Sequence, residues 1–293
     1  MPANTFDLPG WEPALKVTVS DGIDLDRERA MAFPALANWV DTMKKNLAVQ
    51  EDIGSKFAND PWQLHEVKIH NVTVFANGKI GFMTIEAMLK TKGGKPLDRV
   101  VFLRGGSVAV LMILRPRDSR NERYVILTEQ PRIGACSTAF LEIPAGMLDD
   151  KSGDVTGAAM KEIEEETGLK VHRDELIDLT ELALRETETK EDLQPAMYPS
   201  PANLDEYIPL LLWEKDLDRK EIEGLRGKLT GERAKDEFIT LRVSEYDILW
   251  KEGARDAKTL AAWALYEGLN RAGKIEERLK EIRTGSRPNS TKR

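Results

Sequence analysis

The residues in this sequence best suited to chemistry lie in one stretch, AGMLDDKSGDVTGAAMKEIEEETGL, from Ala145 to Leu169. On a helical wheel of 100° per residue, Glu162 and Glu166 stack within about 20° of Val155. Ala159 and Ile163 fall beside them, so these two carboxylates stand at the edge of an apolar strip. Glu165 is adjacent and Glu164 lies on the opposite side. Carboxylates crowded at such an edge repel one another and lose hydration unless something positive sits among them. No Lys or Arg shares that face within the helix, because Lys161 points away from it. Hard divalent cations take oxygen ligands, and Mg²⁺ is commonly held by one or two carboxylates together with substrate phosphates. A solvated acidic helix face has the same composition, and helical geometry alone leaves both readings open.

The spacing favours the cation. Glu162, Ile163, Glu165, Glu166, Gly168 and Leu169 stand in the register of the Nudix signature. That signature runs Gly, five residues, Glu, seven residues, Arg-Glu-apolar, one residue, Glu-Glu, one residue, Gly-apolar. The preceding FLEIPAGM resembles the strand and turn that lead into the signature helix of ADP-sugar diphosphatases. The resemblance extends to LTEQPR at 127–132, YPSPANLDE at 198–206 and KDEFITLRV at 235–243. Two positions depart from the pattern. The family arginine is Lys161, which cannot reproduce a guanidinium fork. The first signature glutamate is missing, its place falling on Gly153 beside Asp154.

The resemblance implies a Mg²⁺- or Mn²⁺-dependent hydrolase that cuts the pyrophosphate link of ADP-ribose or ADP-glucose, giving AMP and a sugar phosphate. It implies metal ligation by Glu162 and Glu166, assisted by Glu165 and the Ala145 carbonyl, with Lys161 in the place of the family arginine. A cation so held neutralises developing charge and lowers the pKa of the attacking water. Glu237 in KDEF is the best match to the family's catalytic base, with Asp236 and Glu232 behind it; a surface charge at a strand end is the competing reading. Arg132 and Glu142 match positions that contact phosphate or sugar, Glu206 in the loop before YIPLLLW is a candidate substrate or metal contact, and Arg104 before Gly105-Gly106 has an equally good structural explanation. Two alternatives stay open: a UDP-sugar or other nucleoside diphosphate substrate, and a catalytically weak protein that binds a nucleotide sugar. Lys161 argues for the latter.

These residues need positioning elements. Leu36, Val40, Met43 and Leu47 repeat at helical spacing after Pro34, which suits a first helical turn. VKIHNVTVFANGKIGFMTIEAML reads as a hairpin about Asn77-Gly78. VVFLRGGSVAVLMILRP, YVILTEQ, LIDLTELAL, YIPLLLW and FITLRVSEY read as strands. The stretch from Asp154 to Thr167 reads as a helix closed by Gly168. DAKTLAAWALYEGLNRAG reads as another, with Leu260, Ala264 and Leu269 on one side and Gly273 as its stop. The first thirty residues show no clear period.

Strands and helices mix without a βαβ rhythm, so the fold class expected is mixed α/β. With the resemblance, this becomes a Nudix-type α/β/α sandwich with a mixed sheet plus a small N-terminal β region. The expected organisation is an N-terminal helix and β region over 1–100, a catalytic domain over 101–275, and a charged, disordered tail over 276–293. A two-stranded hairpin is marginal in water, so Val67, Ile69 and Phe75 need cover. Enzymes of the resembling branch are homodimers whose N-terminal β regions reach across to the partner, so a homodimer is expected, with each chain completing the other's pocket.

Composition limits the remaining classes. With 43 basic and 50 acidic residues the net charge is -7, which argues against an extended nucleic-acid surface. Cys136 is the only cysteine, so no internal disulfide forms and it has no evident His partner for nucleophilic work. His65, His70 and His172 share no metal-ligand spacing. No run is apolar enough to span a bilayer. MPANTFDLPGWEPALK has neither the basic nor the apolar region of a secretory signal, and cytoplasmic residence is the expectation.

Overall fold

The computed structural model describes residues 4–50, 54–148, 154–185, 187, 189–231 and 238–284. It divides into two compact units, one made of Met1–Gly106, Glu188–Gln194 and Tyr198–Tyr207, the other of Ser107–Thr187, Pro195–Met197 and Ile208–Arg293. Loop residues 198–207 thus belong to the first unit, where sequence had placed them in the catalytic domain. The backbone explains it: Phe102 N–H donates to the Asn203 carbonyl at 2.8 Å, and the Asp205 carboxylate accepts from the Arg104 and Gly105 amides. Gly105 turns these amides toward one acceptor at φ +80°, a conformation side chains resist.

In the first unit the strands are β1 (Asn4–Leu8), β2 (Leu15–Val19), β3 (Trp62–Val74), β4 (Ile80–Thr91) and β5 (Pro96–Leu103), side by side in that order. Helices α1 (Arg27–Met31) and α2 (Pro34–Val49) separate β2 from β3. These two strands pair in parallel, which a crossover of this kind permits. Pro34 opens α2 as expected. The β3–β4 hairpin turns at Gly78, where φ is +81°. Sequence missed β1, β2 and α1, each too short to show a period.

Val67, Ile69, Met83, Ile85 and Ala87 alternate along β3 and β4 and are buried with Ala30, Ala35, Leu36 and Val40 of the two helices. The cover that Val67 and Ile69 were expected to need is supplied by the chain's own helices. Phe75 differs: with Val74, Val100 and Phe102 it stays exposed, and Phe82 bridges it to Phe102 through ring contacts of 5.4 Å.

The second unit is built on β6 (Ser107–Pro116), β7 (Tyr124–Arg132), β8 (Ser137–Glu142), β9 (Ala145–Met147), β10 (Leu176–Asp178), β11 (Leu210–Leu217), β12 (Leu229–Thr230) and β13 (Ile239–Glu245). The main sheet runs β10-β11-β6-β7-β13-β12, with β8 added to β7 and β9 to β6. Only β11 and β6 pair in parallel, so the sheet is mixed. Strand β6 is buried on both faces. Val108, Val110, Met112 and Leu114 pack with Ala159 and Ile163 of α3 (Val155–Thr167) and Ile222 and Leu225 of α5 (Arg219–Leu225). Ala109, Leu111 and Ile113 point the other way. They pack with Leu179 of α4 (Leu179–Leu184), Leu249 of α6 (Leu249–Glu252), Ala262, Tyr266 and Leu269 of α7 (Ala257–Arg271), and Ile275 of α8 (Lys274–Thr284). Helices on both faces of a mixed sheet make the expected α/β/α sandwich.

Four local readings are corrected. VVFLRGGSVAVLMILRP is two strands of different sheets, divided at Arg104-Gly105-Gly106. LIDLTELAL is strand only to Asp178, whose carboxylate then caps α4 by accepting from Glu181 N–H at 2.8 Å. Helix α7 buries Thr259, Ala262, Tyr266 and Leu269 rather than Leu260 and Ala264. The chain from 276 continues in α8, where Ile275, Leu279 and Ile282 pack on the core, so the expected tail is helical to Thr284. Its remainder, residues 285–293, lies outside the described residues. Among the described residues no helix is long and apolar enough to cross a membrane.

Candidate functional site

Helix α3 starts at Asp154, whose side chain accepts from Gly157 N–H at 3.0 Å and pairs with Arg173. It ends at Gly168, left-handed at φ +73°, with its N–H bonded to the Glu164 carbonyl at 2.9 Å. Burial of Ala159 and Ile163 against β6 fixes the rotation of the helix. Glu166 is carried inward and Glu164 outward. Two of its glutamates then meet the β8–β9 turn. Glu166, only 6% exposed, accepts from Ala145 N–H at 3.2 Å and from the Gln130 amide at 3.3 Å. The Glu162 carboxylate lies over Gly146, in the space a Cβ there would occupy.

Burial, followed by the negative charge of Glu162, pushes Glu166 up to about 8 from 4.5. The Gln130 hydrogen bond and the Arg132 charge pull it down, while Glu142 pushes it further up. Glu142 is 2% exposed and held from two sides, by Arg132 Nε at 2.5 Å and by Lys258 Nζ. Lys258 also reaches Asp256 at 3.0 Å. The next residue in the turn, Ile143, donates its N–H to Thr259 Oγ1 at 3.0 Å.

The structure therefore brings Ala145, Glu162, Glu166, Glu142 and Arg132 together around the β8–β9 turn. Glu165 lies on the outer side of α3, paired with Lys161 at 3.6 Å, and Lys161 is largely exposed. Arg104 and Glu206 belong to the first unit and pair with each other at 3.3 Å. Glu237, with Asp236, Glu232 and the Gly153 position, lies outside the described residues. Cys136 is exposed, and His70 pairs with Glu86 at 2.9 Å in the N-terminal sheet. Gln130, Asp256, Lys258 and Thr259 went unnoticed in the sequence. Gln130 sits inside LTEQPR, but nothing local marks the other three, which arrive from more than a hundred residues away.

Among the described residues no three acidic, imidazole or thiol side chains converge to hold a cation by themselves. The donor set fits a divalent cation that shares its coordination with a substrate. Glu166 and Glu162 would supply oxygens, and the repulsion that raises Glu166 is what a positive ion would relieve.

A family model described as NUDIX domain matches residues 104–262. "Nudix hydrolase 14, chloroplastic" of Arabidopsis thaliana is 36% identical over 272 residues, 92% of this chain and 82% of that protein. Among solved structures, an ADP compounds hydrolase aligns over 72% of this chain and 98% of its own at 16% identity and a TM-score of 0.43. A Nudix hydrolase from M. Smegmatis aligns over 63% and 94% at 12% identity and a TM-score of 0.33.

The raised Glu166 carboxyl has a consequence for stability. Unfolded, it ionises near 4.5; folded and metal-free, it keeps its proton to about 8. Between these values the native state binds the extra proton, so stability falls as pH rises. In EDTA the melting temperature of wild type is expected to drop from about pH 5 to about pH 8 more steeply than that of Glu166→Gln. Parallel curves for the two proteins reject this assignment.

Proposed function

Because the chain belongs to the Nudix hydrolase family, we propose that it hydrolyses the pyrophosphate bond of an ADP-sugar, ADP-ribose or ADP-glucose, to AMP and a sugar phosphate. The observation that carries this is the buried Glu166 beside Glu162, packed on the β8–β9 turn whose Glu142 also holds Arg132. Glu162 and Glu166 would hold Mg²⁺ or Mn²⁺, with Glu165 and the Ala145 carbonyl assisting. A cation there supplies charge to the pyrophosphate oxygens and acidifies the attacking water. Gln130 and the Ala145 amide orient Glu166. Arg132, anchored on Glu142, offers its guanidinium to a phosphate. Arg104 and Glu206 are proposed as further substrate contacts and Glu237 as the base. The choice of ADP over UDP or another nucleoside diphosphate rests on the LTEQPR, FLEIPAGM and YPSPANLDE stretches. No nucleic acid or membrane enters this reading, and we place the protein in the cytoplasm, although the Arabidopsis relative is named chloroplastic.

Turnover of ADP-ribose, ADP-glucose and UDP-glucose with Mg²⁺ tests the reading. Glu166→Gln keeps the shape and removes the charge, and is expected to lower kcat by about 100-fold or more, roughly 2.7 kcal/mol of barrier. Full activity in EDTA, or an undiminished variant, removes the metal from the account.

Lys161 favours a second reading, a weakly active nucleotide-sugar binder, because an ammonium 3.6 Å from Glu165 replaces a two-pronged guanidinium. If that ion pair suffices, Lys161→Arg changes kcat by less than about tenfold. A wild-type protein that binds ADP-ribose without turnover selects the binder instead.

A homodimer completes the proposal, supported by the exposed Val74, Phe75, Val100 and Phe102 on the N-terminal sheet. Light scattering at micromolar concentration is expected to give twice the 33.0 kDa chain mass; the monomer mass rejects it.

A further inference from the structure

Lys258 is oddly placed for a residue that only stabilises its helix. It is the second residue of α7, a 15-residue helix, where the positive end of the helix dipole disfavours a cation. Its side chain is also 13% exposed, so it loses most of its hydration. Its partners account for the position. The ammonium contacts one oxygen of Glu142, Oε2, and lies 3.0 Å from Asp256 Oδ1. Asp256 is held in turn, accepting from the Thr259 hydroxyl at 2.5 Å and the Thr259 amide at 3.1 Å through its other oxygen. Thr259 receives the Ile143 amide of the site turn. The first turn of α7 is thus bonded to Glu142 and Ile143 at once.

Arg132 meets the other oxygen of Glu142, Oε1, through Nε alone, at 2.5 Å, and its side chain is 40% exposed. An arginine facing a carboxylate with both oxygens open often closes on it as a two-bonded fork. Here Lys258 already sits on one of the two oxygens, so a fork would have to share that oxygen with a second cation. We propose that Lys258 is a positioning residue: by occupying Glu142 Oε2 it limits Arg132 to one hydrogen bond and keeps the remaining guanidinium donors available to an anionic phosphate of a nucleoside diphosphate substrate. Arg132 and Lys258 together balance the charges of Glu142 and Asp256, so Glu142 does not depend on Arg132 alone for its compensation. The substrate half of this inference rests on the function proposed above; the geometric half does not.

The two halves are tested separately. Lys258→Met keeps the aliphatic stem and removes the charge. With Mg²⁺ and ADP-ribose, its KM is expected to rise about tenfold while kcat changes by less than about threefold, and Lys258→Arg is expected to recover most of the loss. In an Arg132→Ala background the Lys258→Met change is expected to add less than about twofold, since both act through one guanidinium. An unchanged KM, or the same loss in both backgrounds, overturns the inference. A crystal structure of Lys258→Met is expected to show Arg132 bonded to both Glu142 oxygens; Arg132 still held through Nε alone overturns it whatever the kinetics. Should that variant not fold, Lys258→Ala, which removes the donor and keeps a good helix former at this position, carries the same expectations. If wild type hydrolyses none of the nucleoside diphosphate sugars but Arg132 closes in the variant, the substrate reading fails and the clamp stands.

Discussion

Glu166 is a carboxylate placed where a carboxylate is costly, and the site is arranged around it. It is buried between α3 and the β8–β9 turn, bonded to the Ala145 amide and to Gln130, with Glu162 as a like-charged neighbour. Water would solvate that charge far better than one amide and one peptide N–H can. Protonation or a bound cation resolves the conflict. The helix would avoid it by rotating, but Ala159 and Ile163 are locked against β6. Core packing thus holds Glu166 in an environment that favours proton or cation binding.

The same turn is gripped from the opposite side of the sheet. Helix α7 packs Ala262 and Tyr266 on the other face of β6, and its first turn reaches Glu142 and Ile143. Five residues, Glu142 to Gly146, are therefore held by helices from both layers of the sandwich. Precision of that kind suits a site that places a phosphate chain within fractions of an ångström, since misplacement of reacting groups costs rate steeply. Gly146 contributes by absence: without a Cβ it leaves room for the Glu162 carboxylate.

Charge is distributed by the same logic. Glu142 is more deeply buried than Glu166, yet it is ion-paired with two cations, whereas the hydrogen bonds of Glu166 come from neutral donors and the Arg132 charge offsets its burial and the Glu162 charge only in part. One acid is compensated by direct ion pairs and the other is not. An overall charge of -7 would repel the anionic substrate proposed, and Arg132 together with a bound cation would reverse that field locally.

The sequence by itself determined the helix that carries the acids, because its caps Asp154 and Gly168 and the period of Ala159 and Ile163 are local properties. It determined the alternating strands β3, β4 and β13, the mixed α/β class and, through spacing, the family. Tertiary structure decided what depends on distant partners. Val67 and Ile69 found cover in α1 and α2 rather than in a second chain. The run after Arg99 was cut at Gly105 because residues 203–205 pair with its upstream half. Which face of α7 is buried followed from the sheet it packs on, so Leu260 and Ala264 lost to Ala262 and Tyr266. Lys258 is the clearest case. Nothing within ten residues marks it, since its meaning lies in a carboxylate 116 positions earlier that only the closing of the sandwich brings within reach.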